Sequence, residues 1–311
     1  MDQMKPHIGL IGVGLMGSGI AASLLRNGFP LTVLEHPGNQ PLDGLLAAGA
    51  QTSTAASALA GGVDILILCV TGSPQVEEVL FQEGGVLSGL KPGVTVIDCS
   101  TAIPSSTLKI AEAVRDAGGY FLDAPMTRTP KEAAEGRLNL IVGGDPRVYE
   151  KCLPVLQAYA ENIAYAGDVG SGHQMKLLHN YVSLGFSAIL AEAAACARRS
   201  GTDPKIFCEI LAAGGGGGVV LNRLRPYIES NDASGFRFSM SNALKDMGYY
   251  CTMAQEQGSA EALARTVKNL YQQAVEAGLE QTPVPGLVDH LEETDPVTSD
   301  GPATPVVATR G

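Results

Sequence analysis

Three glycines and a carboxylate are the first residues whose types and spacing have chemical consequences. Gly12, Gly14 and Gly17 form the pattern G-x-G-x-x-G, after an apolar run and before a helix-like stretch. In that setting the first glycine permits a tight turn. The second lets the backbone approach a pyrophosphate, and the third brings helix and strand close together. The helix N-terminus adds unsatisfied N–H groups and the positive end of a dipole for the phosphates. The next apolar run ends at Glu35, 21 residues past Gly14. A carboxylate there accepts hydrogen bonds from ribose hydroxyls and repels a 2′-phosphate. No Arg follows that run, although His36 does. The pattern favours NAD and leaves NADP open.

A second group lies within Gln174–Ala197, a mostly apolar helical stretch. Its polar exceptions include Lys176, His179, Asn180, Ser183 and Ser187, whose spacings of 3, 4 and 7 place them on one face. A lysine on a largely buried helix is costly unless it has a partner or a task. The plainer alternative is a face that meets solvent. A third group is the loop from Asp123 to Gly136, which starts where a strand ends, the usual ligand side of an open α/β sheet. Thr127, Arg128 and Thr129 crowd hydrogen-bond donors into it. An arginine can hold a carboxylate or sulfonate through two N–H groups, and it can equally be a surface residue. Asn222, Arg223 and Arg225, after the run Gly214–Gly218, offer a second anchor or a surface patch.

The elements that must position these residues divide the chain in two. Continuous apolar runs suit strands buried on both faces: His7–Gly12, Leu31–Glu35, Asp64–Val70, Thr95–Asp98, Tyr120–Asp123, Leu138–Val142 and Ile163–Tyr165. Helical stretches alternate with them at Leu15–Asn27, Pro74–Phe81, Pro104–Ala117 and Pro146–Ala158. The expectation is an α/β fold, a Rossmann-type doubly wound, mostly parallel sheet over residues 1–168. An all-α domain follows over 169–292, led by one long helix at Gly170–Arg199, with helices at Pro204–Ala213, Val219–Glu229, Ser239–Gln257 and Ala260–Gly278. Residues 293–311 mix Pro, Thr, Ser, Asp and Gly and read as a disordered tail.

Composition bounds the partners. The 311 residues include 21 Lys and Arg against 32 Asp and Glu, a net charge of −11 that disfavours nucleic acid and anionic membrane surfaces. Six scattered cysteines have no C-x-x-C pair, so neither a metal site nor a disulfide framework is expected. Ile8–Leu25 could pass for a signal peptide, but glycines at turn spacing interrupt it. The expectation is a soluble, reduced, cytoplasmic protein.

The motifs together resemble the β-hydroxyacid dehydrogenases, the group that contains 3-hydroxyisobutyrate dehydrogenase and tartronate semialdehyde reductase. The resemblance spans about residues 6–290. It rests on Gly9–Gly17, Asp98-Cys-Ser-Thr101, Asp123-Ala-Pro125, Gly170-Ser-Gly-His-Gln-Met-Lys-Leu-Leu-His-Asn180 and Lys245-Asp246. It implies Lys176 as the catalytic lysine with Asn180 as its companion. Leu15, Met16 and Glu35 would contact the cofactor, Val70 and Thr101 would line the nicotinamide side, and Lys245 would be a second lysine near the cofactor. It also implies a homo-oligomer, a dimer or tetramer built through the helical domain.

One loop departs from the family pattern. Most members place Ser-Gly-Gly after the Asp-x-Pro-Val segment, where this chain has Thr127-Arg128-Thr129. The substitution looks more like the branch that includes 3-sulfolactaldehyde reductase, as does the polar run through His179, Asn180 and Ser183. The substrate expected is a short aldehyde, or the matching alcohol, with a terminal anion. Succinate semialdehyde would fit as well as a sulfonate. The alternatives are 3-hydroxyisobutyrate, tartronate semialdehyde, and a non-catalytic cofactor-binding module. Related imine reductases usually lack the lysine.

Overall fold

The structure, a computed structural model, describes residues 5–293. The expected tail lies outside the described residues apart from Glu293. Nine strands form one sheet: β1 (Ile8–Ile11), β2 (Leu31–Leu34), β3 (Gln51–Ser53), β4 (Ile65–Leu68), β5 (Thr95–Asp98), β6 (Tyr120–Asp123), β7 (Met126–Thr127), β8 (Leu138–Gly144) and β9 (Ala160–Gly167). Their order is β3-β2-β1-β4-β5-β6-β8-β7, with β9 on the other side of β8. Strands β1 to β6 pair in parallel, and so do β8 and β9. Only the β6–β8 and β7–β8 contacts are antiparallel. The chain reverses its direction of travel across the sheet at β1, between β2 and β4. That is where a doubly wound sheet opens a crevice for ligands.

Crossover helices separate the strands: α1 (Leu15–Arg26), α2 (Asp43–Ala47), α3 (Ala56–Gly61), α4 (Ser73–Phe81), α5 (Val86–Gly89), α6 (Pro104–Asp116), α7 (Pro130–Glu135) and α8 (Pro146–Leu156). Alternate side chains of β4 show why the strands read as unbroken apolar runs. Ile65 and Ile67 enter the cluster that contains Ile20 and Leu24 of α1. Leu66 and Leu68 enter the cluster that contains Val76 and Leu80 of α4 and Ile110 and Val114 of α6. With both faces covered, a period of two has no polar partner to reveal it.

After Gly167 every element is helical: α9 (Ser171–Arg199), α10 (Pro204–Ala213), α11 (Val219–Ser230), α12 (Met240–Glu256), α13 (Ala262–Glu276), a short 3₁₀ turn at Val284–Gly286, and α14 (Leu287–Glu293). Compactness does not break the chain at residue 168. One unit runs through the sheet to Gly185 and takes in Ser241–Gln272; the other comprises Phe186–Met240 and the residues from Gln273 onward. The first half of α9 and most of α12 therefore belong with the sheet. In the second unit, Arg198 gathers Asp289 at 2.6 Å, Glu292 at 3.3 Å and Asn231 at 3.1 Å, and Tyr227 donates to Asp289 at 2.5 Å.

Helix α9 is long and apolar enough to cross a membrane by length and composition, but half of its most apolar window is buried inside the protein. Lys176, Asn180 and Ser187 are among its buried residues. This is the pattern of a core helix that carries polar groups inward.

Candidate active site

The glycine turn is built as its spacing requires. Gly12 sits at φ +93°, and a Cβ there would lie 2.3 Å from the Cys69 carbonyl oxygen at the end of β4. A Cβ on Gly17 would lie 1.9 Å from the Gly12 carbonyl oxygen. Gly14 is different: a Cβ there would meet nothing within 4 Å. Gly14 also starts α1 in an extended conformation with no side-chain cap. The turn thus exposes backbone at a helix N-terminus toward open space, which fits a pyrophosphate. Leu15 is exposed beside it, while Met16 packs on the core. The turn is braced from β2, because Val13 N donates to Asn39 Oδ1 at 3.2 Å and Asn39 Nδ2 donates to the Leu34 carbonyl at 2.9 Å.

Glu35 follows β2, its amide held by the Ser53 carbonyl at 2.8 Å and its side chain exposed. It lines a shallow depression of about 480 Å³ with His36, Asn39 and Thr54. The His36 ring accepts from the Gly38 amide at 3.0 Å. These residues fit an adenosine ribose beyond the pyrophosphate turn. On the other side of the switch point, Val70 N donates to Ser100 Oγ at 3.1 Å. That bond ties the loop after β4 to the loop after β5, where Thr101 lies half-buried. Burial pushes the neighbouring Cys69 thiol up to about 12, so it stays protonated and unreactive.

Lys176 and Asn180 are both buried on one face of α9. The Lys176 ammonium donates to the Met126 carbonyl at 2.6 Å. The lysine is thereby fixed to the strand that leads directly into Thr127–Thr129. Asn180 Nδ2 donates to Asp246 Oδ2 at 2.6 Å, and Asn180 Oδ1 lies 2.9 Å from His179 Nδ1. His179 itself is exposed, and Ser183 is half-buried one turn further along. Lys245 does not make a solvated pair with its neighbour. Asp246 is buried, with its other oxygen 3.3 Å from Lys245 Nζ, and Lys245 donates to the Thr71 carbonyl in the loop after β4. Tyr249, one turn later, accepts from Ser73 N at 3.2 Å. Helix α12 thus clamps the loop after β4 while Asp246 holds Asn180.

The loop after β6 is more structured than its sequence suggests. Thr127 Oγ1 accepts from Asn139 Nδ2 of β8 at 3.1 Å. Thr129 caps α7 in a reciprocal box with Glu132, and that hydrogen bond holds the Glu132 carboxyl below its ordinary range. Helix α7 packs on α1 at Gly19, where a Cβ would lie 2.7 Å from the Ala133 Cβ. The helix that begins at the dinucleotide turn is therefore fixed to the helix that follows the Thr127–Thr129 loop. Arg128 stands at φ +83° between these anchored neighbours, and its Nη1 engages Glu161 of β9 and the Arg137 carbonyl. Arg223 and Arg225 are engaged otherwise, over the Phe236 ring and with Glu229 at 2.8 Å.

Two residues carry more of the site than their sequence context indicates. Asp123, fully buried, accepts from the Gly170 and His173 amides at 2.8 Å each and so caps α9, the helix that carries Lys176, from a distant strand. The His173 ring bridges Thr107 Oγ1 at 2.8 Å and the Ser100 carbonyl at 3.1 Å. Burial raises the carboxyl of Asp98 beside it above the usual range. A single sequence signals neither role, because each partner is a backbone amide or a side chain far along the chain.

A dinucleotide turn at the switch point, a buried lysine on a core helix and a donor-rich loop beside it define a nicotinamide-dependent oxidoreductase. Comparison with known proteins agrees. Residues 7–167 match the NAD-binding domain of 6-phosphogluconate dehydrogenase, and residues 170–290 match the NAD-binding family of NADP-dependent 3-hydroxyisobutyrate dehydrogenase. An NAD-dependent L-serine dehydrogenase of Pseudomonas aeruginosa is 33% identical, with 88% of this chain and 93% of that one covered. The 2-hydroxy-3-oxopropionate reductase of Escherichia coli is 35% identical over 67% of this chain and 70% of its own. A crystal structure of 3-hydroxyisobutyrate dehydrogenase from Salmonella typhimurium superposes with a TM-score of 0.80 at 29% identity, covering 91% of this chain and 99% of that one. The chain belongs to the β-hydroxyacid dehydrogenase family and is an NAD(P)-dependent dehydrogenase acting on CH–OH groups.

Proposed function

We propose that the protein interconverts a short aldehyde and its alcohol, that the substrate carries a terminal carboxylate or sulfonate, and that NAD(H) is the preferred cofactor. The observation that carries the reading is the buried Lys176 ammonium, held at the Met126 carbonyl next to the one arginine of the substrate loop. The bound nicotinamide supplies or accepts the hydride. Lys176 protonates the carbonyl oxygen as charge grows on it, a role worth on the order of 10²–10⁴ in rate. In the oxidising direction the same nitrogen, deprotonated, takes the alcohol proton. Asn180, oriented by Asp246, holds the reacting oxygen beside it. Arg128, with Thr127 beside it, holds the distal anion and sets its distance from the nicotinamide, while Thr129, whose hydroxyl is donated to Glu132, caps α7 instead. Glu35 disfavours a 2′-phosphate.

The test is oxidation of NADH and NADPH with sulfolactaldehyde, succinate semialdehyde, methylmalonate semialdehyde, tartronate semialdehyde and butanal. A preference for an anionic aldehyde with NADH supports the reading; equal activity on butanal removes the anchor. Lys176→Ala should abolish turnover and spare NADH binding. Binding of NADH without turnover across the panel would instead favour a cofactor-binding module. We further propose a homodimer formed along α9, where Met175, Val182 and Ile189 recur every seven residues and are 46%, 68% and 54% exposed. Sedimentation of the Val182→Asp, Ile189→Asp double variant as a monomer would support this; an unchanged mass would remove it. The six free cysteines suit a reducing, cytoplasmic compartment.

A further inference from the structure

Arg128 is held in an unusual way. Its backbone is left-handed at φ +83°, a region that costs a non-glycine residue about 1–2 kcal/mol. The neighbours impose that direction, because Thr127 is tied to Asn139 and Thr129 is tied to Glu132. The side chain then spans β8 to reach β9. There Nη1 donates to Glu161 Oε2 and to the Arg137 carbonyl, so both of its hydrogens are used. Among the described residues nothing engages Nε or Nη2. Arginine–carboxylate pairs frequently use two parallel N–H groups. Here the pair is made end-on, and the Nε–Nη2 edge, whose two N–H groups match a carboxylate or sulfonate, is left over. Arg128 is only 25% exposed at its side chain, whereas Glu161 is 47% exposed at the outer edge of the pair.

We infer that Glu161 is a positioning residue for anion recognition, holding Arg128 by Nη1 so that its Nε–Nη2 edge faces an anionic substrate tail. This rests on the reading of Arg128 as the anchor. The structure separates two tasks that one residue usually combines: the backbone of the loop sets where the guanidinium starts, and Glu161 with the Arg137 carbonyl sets how it is rotated. A guanidinium released from Glu161 keeps its charge and loses its aim.

The test compares wild-type enzyme with Arg128→Ala, Glu161→Ala and Glu161→Gln on succinate semialdehyde and on butanal. Gln keeps a carbonyl acceptor for Nη1 and removes the charge; Ala removes both. Glu161→Ala should raise KM for succinate semialdehyde ~3–10-fold with kcat unchanged, Glu161→Gln should stay within about twofold of wild type, and butanal should respond to neither. A fall in KM for both Glu161 variants would make Glu161 a competitor for Arg128 and overturn the inference. Unchanged KM in Glu161→Ala, alongside a raised KM in Arg128→Ala, would show that Arg128 is aimed without Glu161. An equal loss on butanal would reduce Glu161 to a structural role. If Arg128→Ala itself leaves KM unchanged, the anchor reading fails and the inference falls with it.

Discussion

Replacing Asp123 with Asn should damage this protein far more than its one-atom change suggests. Both carboxylate oxygens of Asp123 accept from backbone amides of the α9 start, at 2.8 Å from Gly170 and 2.8 Å from His173, in a site with no solvent exposure. An amide keeps one acceptor and turns the other position into a donor facing a donor. One charge-assisted bond, worth ~1.5–3 kcal/mol, is lost, and a buried N–H is left unsatisfied at ~1–3 kcal/mol. Gly143 lies close against this carboxylate, since a Cβ there would sit 2.7 Å from Asp123 Oδ1. The sum is ~2.5–6 kcal/mol, or a fall in melting temperature of about 10 °C for a unit of this size. Lys176 lies one turn past His173, so fraying of that turn should also lower kcat while NADH affinity persists. Calorimetry with steady-state kinetics on Asp123→Asn tests both. Asp145→Asn is the control, since Asp145 caps the exposed start of α8 through Arg147 N at 2.8 Å and asparagine caps equally well. A shift under ~3 °C with kcat intact in Asp123→Asn would refute the capping argument.

Three further outcomes are expected. Asp246→Ala deprives Asn180 of its 2.6 Å acceptor, so kcat should fall by about tenfold or more with NADH binding unchanged; steady-state rates and NADH titration read this, and an unaltered kcat contradicts it. Glu35→Ser should lower KM for NADPH and raise it for NADH, measured with one aldehyde at saturation, because the carboxylate no longer repels the 2′-phosphate. The Arg128 hydrogen bond holds the Glu161 carboxyl below its ordinary range, so the folded state binds this proton less readily than the unfolded state. The pair therefore contributes fully above the unfolded glutamate value of about 4.3 and is lost as pH falls through the lower folded value. Urea midpoints of wild type and Glu161→Gln should differ near neutral pH and converge as the pH falls below the ordinary glutamate range.

The central strands were legible because burial on both faces turns each into an apolar run. Thr95–Asp98 and Tyr120–Asp123 have the bounds that the runs indicate. The elements that pattern did not reveal are short or polar. Strand β3 (Gln51–Ser53) is an exposed edge, and β7 is two residues long, too short for any periodicity. Helices α2, α3, α5 and α7 have six residues or fewer, so they cannot show a 3.6-residue repeat. Strand β9 begins earlier than Ile163 because its outer residues are polar and exposed on the sheet's edge, where hydrogen bonds to β8 extend pairing that hydrophobicity does not mark.

The site divides along the same physical line. Local constraints leave local signatures, and part of the glycine turn is local: Gly12 has a positive φ, and a Cβ on Gly17 would strike the Gly12 carbonyl five residues earlier. The stripe on α9 is legible too, because helical geometry converts spacing into a shared face. What spacing cannot express is which polar side chain a distant element answers. Asp246 beside Lys245 reads as a solvated pair, yet it is buried against Asn180, 66 residues earlier. Arg128 reads as a free donor, yet it is paired with Glu161, a strand residue in a stretch with no chemical signal. The residues that react are therefore marked by type and rhythm. Their partners, Asp246 and Glu161 among them, are marked only by where the fold brings them.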